Sequence, residues 1–534
     1  MTAFSILDSR LKGKTAESEP AVFHMGQRAM TCLGSQSRIE NPKSKIAALA
    51  LAAVWSTLAL AQAADWPMFG QNPARQGFSP VRFPSATLGH EWATPPPLTL
   101  LAYQEGIPYW SSPCLATIEG EPRVFVGCYD NNVWAFDAAT GQEAWRYTTA
   151  GPVSATPLYA VVEGEPMLFV ASADRSIYAL NPSSKLPNDA DRKLWQVETM
   201  AWSQTVSPAR MADPLLAQVD GRAVLFCGVW NNDRSGATNV QRGEMIALDA
   251  KSGAILWRRT LGTGALGAPC LGSVGGEPAL FVPYEPGALF ALSARDGHDL
   301  WPKPCPANDE IRGGISLGRV GERQLLFFGD RISGLTCVDA ETGTWRWTKT
   351  VNTWVDSTPA FAVIDGRPTV FFGTYTYFVI ACDAATGAEL WRYRTRGYVQ
   401  ASPAVATMGD EPVVCVPALD DHLYVLSARD GRFLYRHSLG RFPWTHYLKG
   451  KTIWSSCAVG MFPSGPLLVV PSYSGVVHAF AVNGRDDNAG PPRDSFWDAL
   501  GEAYTIPVLA VVALVLALTF RRLLRARRSK APIP

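Results

Sequence analysis

From about residue 65 to residue 480, apolar residues come in short blocks, such as "RVFVG" (123–127), "PMLFVA" (166–171), "AVLFCG" (223–228) and "TVFFG" (369–373). Each block is bounded by Gly, Pro or an acidic residue. The i, i+3, i+4, i+7 spacing of an amphipathic helix is scarce across the same span. Blocks of this length, rich in Val and Phe and punctuated by turn formers, predict many short, buried strands. The expected class is all-β.

The blocks recur in register with a second pattern. "AFDAATGQEAW" (135–145) returns as "ALDAKSGAILW" (247–257), "ALSARDGHDLW" (291–301), "CVDAETGTWRW" (337–347), "ACDAATGAELW" (381–391) and "VLSARDGRFLY" (425–435). Gly stands seventh in every copy, and an aromatic residue follows four positions later. The pattern predicts two strands joined by a tight turn. Asp or Ser opens the turn by accepting backbone amides, and Gly takes the positive-φ position. The aromatic residue then projects from the outgoing strand as an apolar plate for the neighbouring unit. Upstream of each copy lies another hairpin, as in "SSPCLATIEGEPRVFVG" (111–127) and "STPAFAVIDGRPTVFFG" (357–373), where a small residue and Pro open the first strand.

Each unit therefore has four strands, A to D, and its closing aromatic lies 44 to 62 residues from the next. That strand count and period predict a β-propeller blade. The closing residues are Trp145, Trp195, Trp257, Trp301, Trp347, Trp391 and Tyr435. The last unit, 455–480, supplies only strands A to C. Its fourth strand is expected from "GHEWAT" (89–94), with Trp92 in the aromatic slot, which closes the ring without a free edge. Eight blades result. Seven is the alternative if the divergent unit around Trp195 is an insertion.

The ends of the chain supply an address. In 43–63, Lys43 and Lys45 precede an apolar run and Ala61-Gln62-Ala63, the layout of a secretory signal, so the mature chain is expected to begin near Ala64. Translation from Met25 or Met30 would shorten the unusual leader. Residues 504–520 carry no charge and are followed by "RRLLRARRSK", which predicts a single transmembrane helix with a cytoplasmic C-terminus. The expected layout is an extension and signal peptide (1–63), the propeller (64–482), a linker (483–503), the transmembrane helix (504–520) and a basic cytoplasmic tail (521–534). In a Gram-negative cell the propeller would sit in the periplasm, tethered to the inner membrane. Composition agrees with a folded domain, at 47% hydrophobic and 18% charged residues. A net charge of +1 without an internal basic run argues against nucleic acid as partner.

Candidate chemistry is sparse. The nine cysteines after the signal (Cys114, Cys128, Cys227, Cys270, Cys305, Cys337, Cys382, Cys415 and Cys457) mostly fall in strand positions, as small buried hydrophobes do in a repeat. A pair such as Cys114 with Cys128 would join neighbouring strands of one blade. No metal-ligand spacing connects His90, His298, His422, His437, His446 and His478, and no zinc site is expected. "LDDHLY" (419–424) reads as a solvated B–C turn in preference to a catalytic cluster. No catalytic residue, metal ligand or cofactor-binding residue is assigned.

The two faces of the ring differ. The A–B turns repeat almost unchanged ("IEGEP", "VEGEP", "VDGRA", "IDGRP"). The B–C and D–A connections vary and gather aromatics: Tyr109, Trp110, Trp202, Trp230, Tyr284, Trp354, Tyr375, Tyr377, Tyr398, Trp444, Tyr447 and Trp454. Arg175, Arg234, Arg312 and Arg331 lie among them. Variable loops on a rigid scaffold are where binding resides, and aromatics with Arg suit protein or peptide recognition. The competing reading is that several of these rings line the first strands and plug the channel.

The repeat A-x-D-x-x-T-G-x-x-x-W resembles the tryptophan-docking motif of the quinoprotein-type (PQQ-like) propellers, and "DWPMFGQNPARQGFSP" (65–80) resembles an N-terminal signature of their bacterial members. The resemblance implies the eight-bladed fold over most of the chain. It spans pyrroloquinoline-quinone (PQQ) dehydrogenases and cofactor-free propellers such as the BamB-type assembly factor. The dehydrogenases typically carry adjacent cysteines beside the quinone and Glu, Asn and Asp around Ca²⁺. No Cys-Cys pair and no C-x-x-C-H haem motif occurs here. The expectation is a cofactor-free scaffold for an envelope protein or peptide; the alternative is a PQQ- and Ca²⁺-dependent dehydrogenase of alcohols or sugars.

Overall fold

The computed structural model describes residues 66, 68–84, 88–94, 111–199, 210–233, 240–262, 267–439, 455–472 and 476–481. The acidic-Gly pairs make tight A–B hairpins. Glu119 and Gly120 have φ of 51° and 86°, and Asp365 and Gly366 have 47° and 82°. Two successive positive φ values define the type I′ turn, whose twist matches that of paired strands. Every first strand then pairs with a near-continuous apolar second strand; in the first blade Cys114 lies opposite Phe125 and Ile118 opposite Glu121.

Eight separate sheets result. In chain order they occupy 114–148, 158–198, 210–262, 270–306, 316–350, 360–394, 404–438 and 458–481, and are called blades 1 to 8. The divergent unit around Trp195 is a complete blade, so the count is eight, not seven. The strand Gly89–Ala93 pairs antiparallel with Val477–Ala481 and completes blade 8, as the position of Trp92 predicted. Two blades exceed four strands. Arg210–Met211 adds to blade 3, and Phe78–Phe83 pairs in parallel with the innermost strand of blade 7, Ala404–Met408. Among the described residues no helix is long and apolar enough to cross a membrane. The expected signal peptide, linker, transmembrane helix and basic tail lie outside the described residues.

Neighbouring blades share no strand ladder, and the motif tryptophans join them. The indole Nε1–H of Trp92, Trp257, Trp301, Trp347 and Trp391 donates to the carbonyl of Ala138, Ala294, Ala340, Ala384 and Ala428 on the next blade, at 2.8–3.2 Å. Trp195 reaches Ala250 at 3.3 Å. The motif Gly of the receiving blade lies flat under each of these rings. A Cβ at Gly343 would stand 2.8 Å from Trp301, and one at Gly431 2.6 Å from Trp391. So the seventh position needs Gly both for its φ (+68° at Gly343) and for contact with the plate. The motif Asp fixes the turn: Asp137 Oδ1 accepts the amides of Ala139 and Thr140.

Two interfaces depart from the rule. Blade 2 lacks the T-G turn, and there Trp145 donates to Pro182 while the buried Arg192 guanidinium stacks 4.1 Å from its ring. Between blades 7 and 8, Tyr435 replaces Trp and its hydroxyl lies 3.7 Å from Met408 Sδ. The receiving turn is absent because strands C and D of blade 8 come from opposite ends of the chain.

All nine cysteines named above are buried thiols. Burial raises Cys227, Cys382 and Cys457 to about 12.

Two outcomes follow from this packing. Gly343→Ala should cost about 2–4 kcal/mol in equilibrium denaturation, combining a positive-φ penalty with overpacking against Trp301. Gly366→Ala, whose Cβ would meet nothing within 4 Å, should cost only about 1 kcal/mol. Equal losses would show that the plate contact contributes nothing. A thiol reagent at neutral pH should modify none of the nine cysteines in the native protein and all of them after denaturation; rapid labelling of the native chain would contradict the buried assignment.

Candidate functional site

The B–C/D–A face carries one continuous cluster on blades 4 to 6. The D–A connection after blade 5 brings Trp354 and Asp356 beside the B–C turn of blade 6, which holds Tyr375 and Tyr377. The connection after blade 6 adds Tyr398. Ring centroids run Trp354 to Tyr375 at 5.0 Å, Tyr375 to Tyr398 at 5.2 Å and Tyr398 to Tyr377 at 4.9 Å, the last pair stacked within 11°. Arg331, from the B–C turn of blade 5, covers the Trp354 ring at 4.1 Å.

An ionic chain underlies the rings. Arg331 binds both Asp356 oxygens through Nε and Nη2, at 3.1 and 2.8 Å. The Tyr375 hydroxyl donates to Asp356 Oδ2 at 3.0 Å. Glu310 lies 3.5 Å from Arg331 and 3.0 Å from Arg312, and Arg312 reaches Glu285 at 3.1 Å. Burial opposes the charge on Arg331, but Asp356 outweighs it and the guanidinium pKa is raised. Burial, and then Asp356, push the Tyr375 phenol well above its ordinary value. Such bidentate pairing fixes orientation, so the rings stand on a rigid support. Above it, Ile332 is 59% exposed, Trp354 44% and Tyr398 40%.

Tyr377 is strained. The fourth position of the B–C turn needs a positive φ, and other blades place Asn131, Arg175 and Asp421 there, at 69°, 73° and 58°. Blade 6 holds Tyr377 at 68°. A bulky residue in this region is uncommon and persists where its surroundings over-determine it. Aligning the B–C turns of the repeat would have exposed the anomaly in the sequence.

The structure thus brings together Arg312, Trp354, Tyr375, Tyr377 and Tyr398 from the expected face, with Arg331. Tyr284 packs edge-on against Phe290 at 5.8 Å on blade 4. Trp230 lies on the second strand of blade 3, opposite Arg210. Tyr109, Trp110, Trp202, Trp444, Tyr447 and Trp454 lie outside the described residues. The "LDDHLY" turn is a B–C turn but is not solvated. Asp420 accepts the Tyr424 hydroxyl, and the His422 and Asp420 side chains are only 14% and 12% exposed.

Among the described residues, the axis leaves little room for a quinone. The channel is occupied by residues 66 and 68–83 of the chain itself. The cavity left beside it, lined by Trp66, Phe69, Arg75, Ser112, Ser402 and Ser456 among others, measures about 10 Å³. That is room for about one water, not for a three-ring cofactor. Among the described residues no three His, Cys, Asp or Glu side chains converge as a metal set.

Eight blades locked by tryptophan docking define a PQQ-like propeller. A family model described as "Outer membrane protein assembly factor BamB" matches residues 92–228, 184–304, 285–364 and 361–482, well over half of the chain. The chain belongs to that family. No curated protein matches it. Similar solved structures include the quinohemoprotein alcohol dehydrogenase from Comamonas testosteroni, with TM-score 0.58 and 14% identity over 83% of this chain and 85% of that one. The quinohemoprotein alcohol dehydrogenase ADHIIG from Pseudomonas putida HK5 gives 0.58 and 12% over 82% and 83%. Sqt1 from Saccharomyces cerevisiae gives 0.50 and 11% over 71% and 96%. At these identities the likeness is one of fold.

Asp356→Ala should lower stability by about 3 kcal/mol, because it strips a largely buried arginine of its bidentate partner. Trp354→Ala should cost about 1 kcal/mol or less. Chemical denaturation of both variants measures the contrast, and equal costs would mean that the ionic chain does not hold the rings.

Proposed function

We propose that this chain is a binding scaffold of the cell envelope, tethered by its C-terminal apolar segment, whose B–C/D–A face holds a protein or peptide partner without a redox cofactor. The observation that carries this reading is the aromatic platform on blades 5 and 6: three exposed apolar side chains (Ile332, Trp354, Tyr398) over a rigid ionic support, with Tyr377 kept in a strained conformation. Exposed rings on pre-organised backbone are what hot spots require. An assembly role for the matched family, in the words of its description, points the same way. The apolar run before Ala64 and the uncharged stretch 504–520 with its basic tail support the periplasmic address. The dehydrogenase reading shares the fold but must contend with a filled channel.

A photo-crosslinking residue at position 398 should yield a discrete protein adduct in intact cells. One at Val363, exposed on the opposite side near the A–B turn, should not. Tyr377→Asn, which suits the positive φ, should leave the melting temperature within a few degrees yet weaken the adduct at least about tenfold. The dehydrogenase alternative replaces the scaffold reading if PQQ with Ca²⁺ titrates calorimetrically at one site per chain, and equal behaviour of the two crosslinking positions would overturn the aromatic face as the binding site.

A further inference from the structure

The innermost strand of every blade turns one edge toward the axis, and these edges have no partner within their own sheets. In this chain a single segment bonds to six of the eight, on blades 1 and 4 to 8. Trp66 exchanges two backbone bonds with Leu115 of blade 1, at 3.2 and 2.8 Å. The amides of Leu271, Leu317, Phe361 and Val405 then donate to the carbonyls of Pro73, Ala74, Gln76 and Gly77, at 2.7–2.9 Å. All five strand residues are the second of their strand, on blades 1, 4, 5, 6 and 7. Ser79 donates to Val459, the same position on blade 8, at 3.3 Å. Finally, Phe78–Phe83 runs parallel to the blade 7 strand.

One side chain dominates the contact. Arg75 is fully buried and donates to the carbonyls of Pro269, Phe69, Asp213 and Pro214. It thereby stitches blade 3 to blade 4. From blade 5 round to blade 1 a run of hydroxyl acceptors does this work. Gly314 donates to Thr358, Thr358 to Ser402, Ser402 to Ser456 and Ser456 to Ser112, each amide meeting the hydroxyl of the next blade. Blade 4 opens with Ala268, which has no side-chain acceptor to offer, and there Arg75 joins blades 3 and 4 in the opposite sense, donating to carbonyls on both.

Main-chain bonds to an open strand edge, with one deep side-chain anchor, are the physics of peptide recognition by strand addition. We propose that the axial channel is a peptide-binding site whose ligand is the chain's own segment, residues 66–83, with Arg75 as its anchor. The segment is a bound peptide that happens to be tethered, and it occupies the donors that any other axial ligand would need.

The test keeps the full chain and adds a protease site between Pro84 and Ser85. After cutting, the N-terminal fragment should stay with the ring through gel filtration, and the complex should melt with the uncut protein. In the Arg75→Met chain, cut in the same way, the fragment should be lost at least about 100-fold faster, since four buried carbonyls lose a charged donor. Departure of the wild-type fragment together with unfolding of the ring would also support an obligatory ligand. Departure that leaves the ring's melting unchanged overturns the proposal, as does equal retention of the wild-type and Arg75→Met fragments. Should Arg75→Met fail to fold, the wild-type fragment alone decides.

Discussion

An indole plate pressed against a glycine peptide on the next blade is the contact on which this molecule depends. The strand ladders run within each blade and not between blades, so the blades have no hydrogen-bonded ladder with which to hold one another. What remains is side-chain interlock. The tryptophan supplies apolar area and a single N–H, and the receiving turn supplies a flat glycine and an alanine carbonyl placed to accept it. Repeating that contact around the ring fixes the angle between blades, and with it the width of the channel and the relative positions of the face loops.

The interfaces that break the rule show what it demands. Where blade 2 carries "NPSSKLPNDADR" (181–192) in place of a T-G turn, a buried arginine takes the glycine's place over Trp145. Where blade 8 is assembled from both ends of the chain, no such turn exists and a tyrosine suffices. Along the axis, the hydroxyls that open the strands knit the inner rim, and Arg75 completes it where alanine interrupts it. The fold thus uses three concentric devices: plates outside, hydroxyls near the axis, and a peptide core.

The same rigidity makes the aromatic face meaningful. Tyr375 and Trp354 are held by Asp356 and Arg331, whose charges are matched and whose geometry is bidentate. Blade 6 tolerates a tyrosine at a turn position suited to Asn or Gly, and local folding alone gives no reason for that choice. Strain of this kind persists where the surrounding packing over-determines the backbone, as the stacked Tyr377 and Tyr398 rings do here.

Fold was legible in the sequence because its determinants are local and repeated. The alternation of apolar blocks, the acidic-Gly turns and the Gly-to-Trp spacing each specify a few neighbouring residues, and six copies reinforce one another. Even the closing strand could be found, since Trp92 fills an otherwise empty slot. Of the site, the sequence marked the face and several of its rings. It did not pair Arg331, in the B–C turn of blade 5, with Asp356, in the connection leading to blade 6, which meet only when those two blades pack. Nor did it show what fills the channel: "DWPMFGQNPARQGFSP" reads as a signature, and its carbonyls acquire partners on five blades only when those blades surround it. Local chemistry determined the blades, while the axis and the aromatic face were decided by tertiary structure, because both are built from groups that sequence separates and blade packing brings within bonding distance.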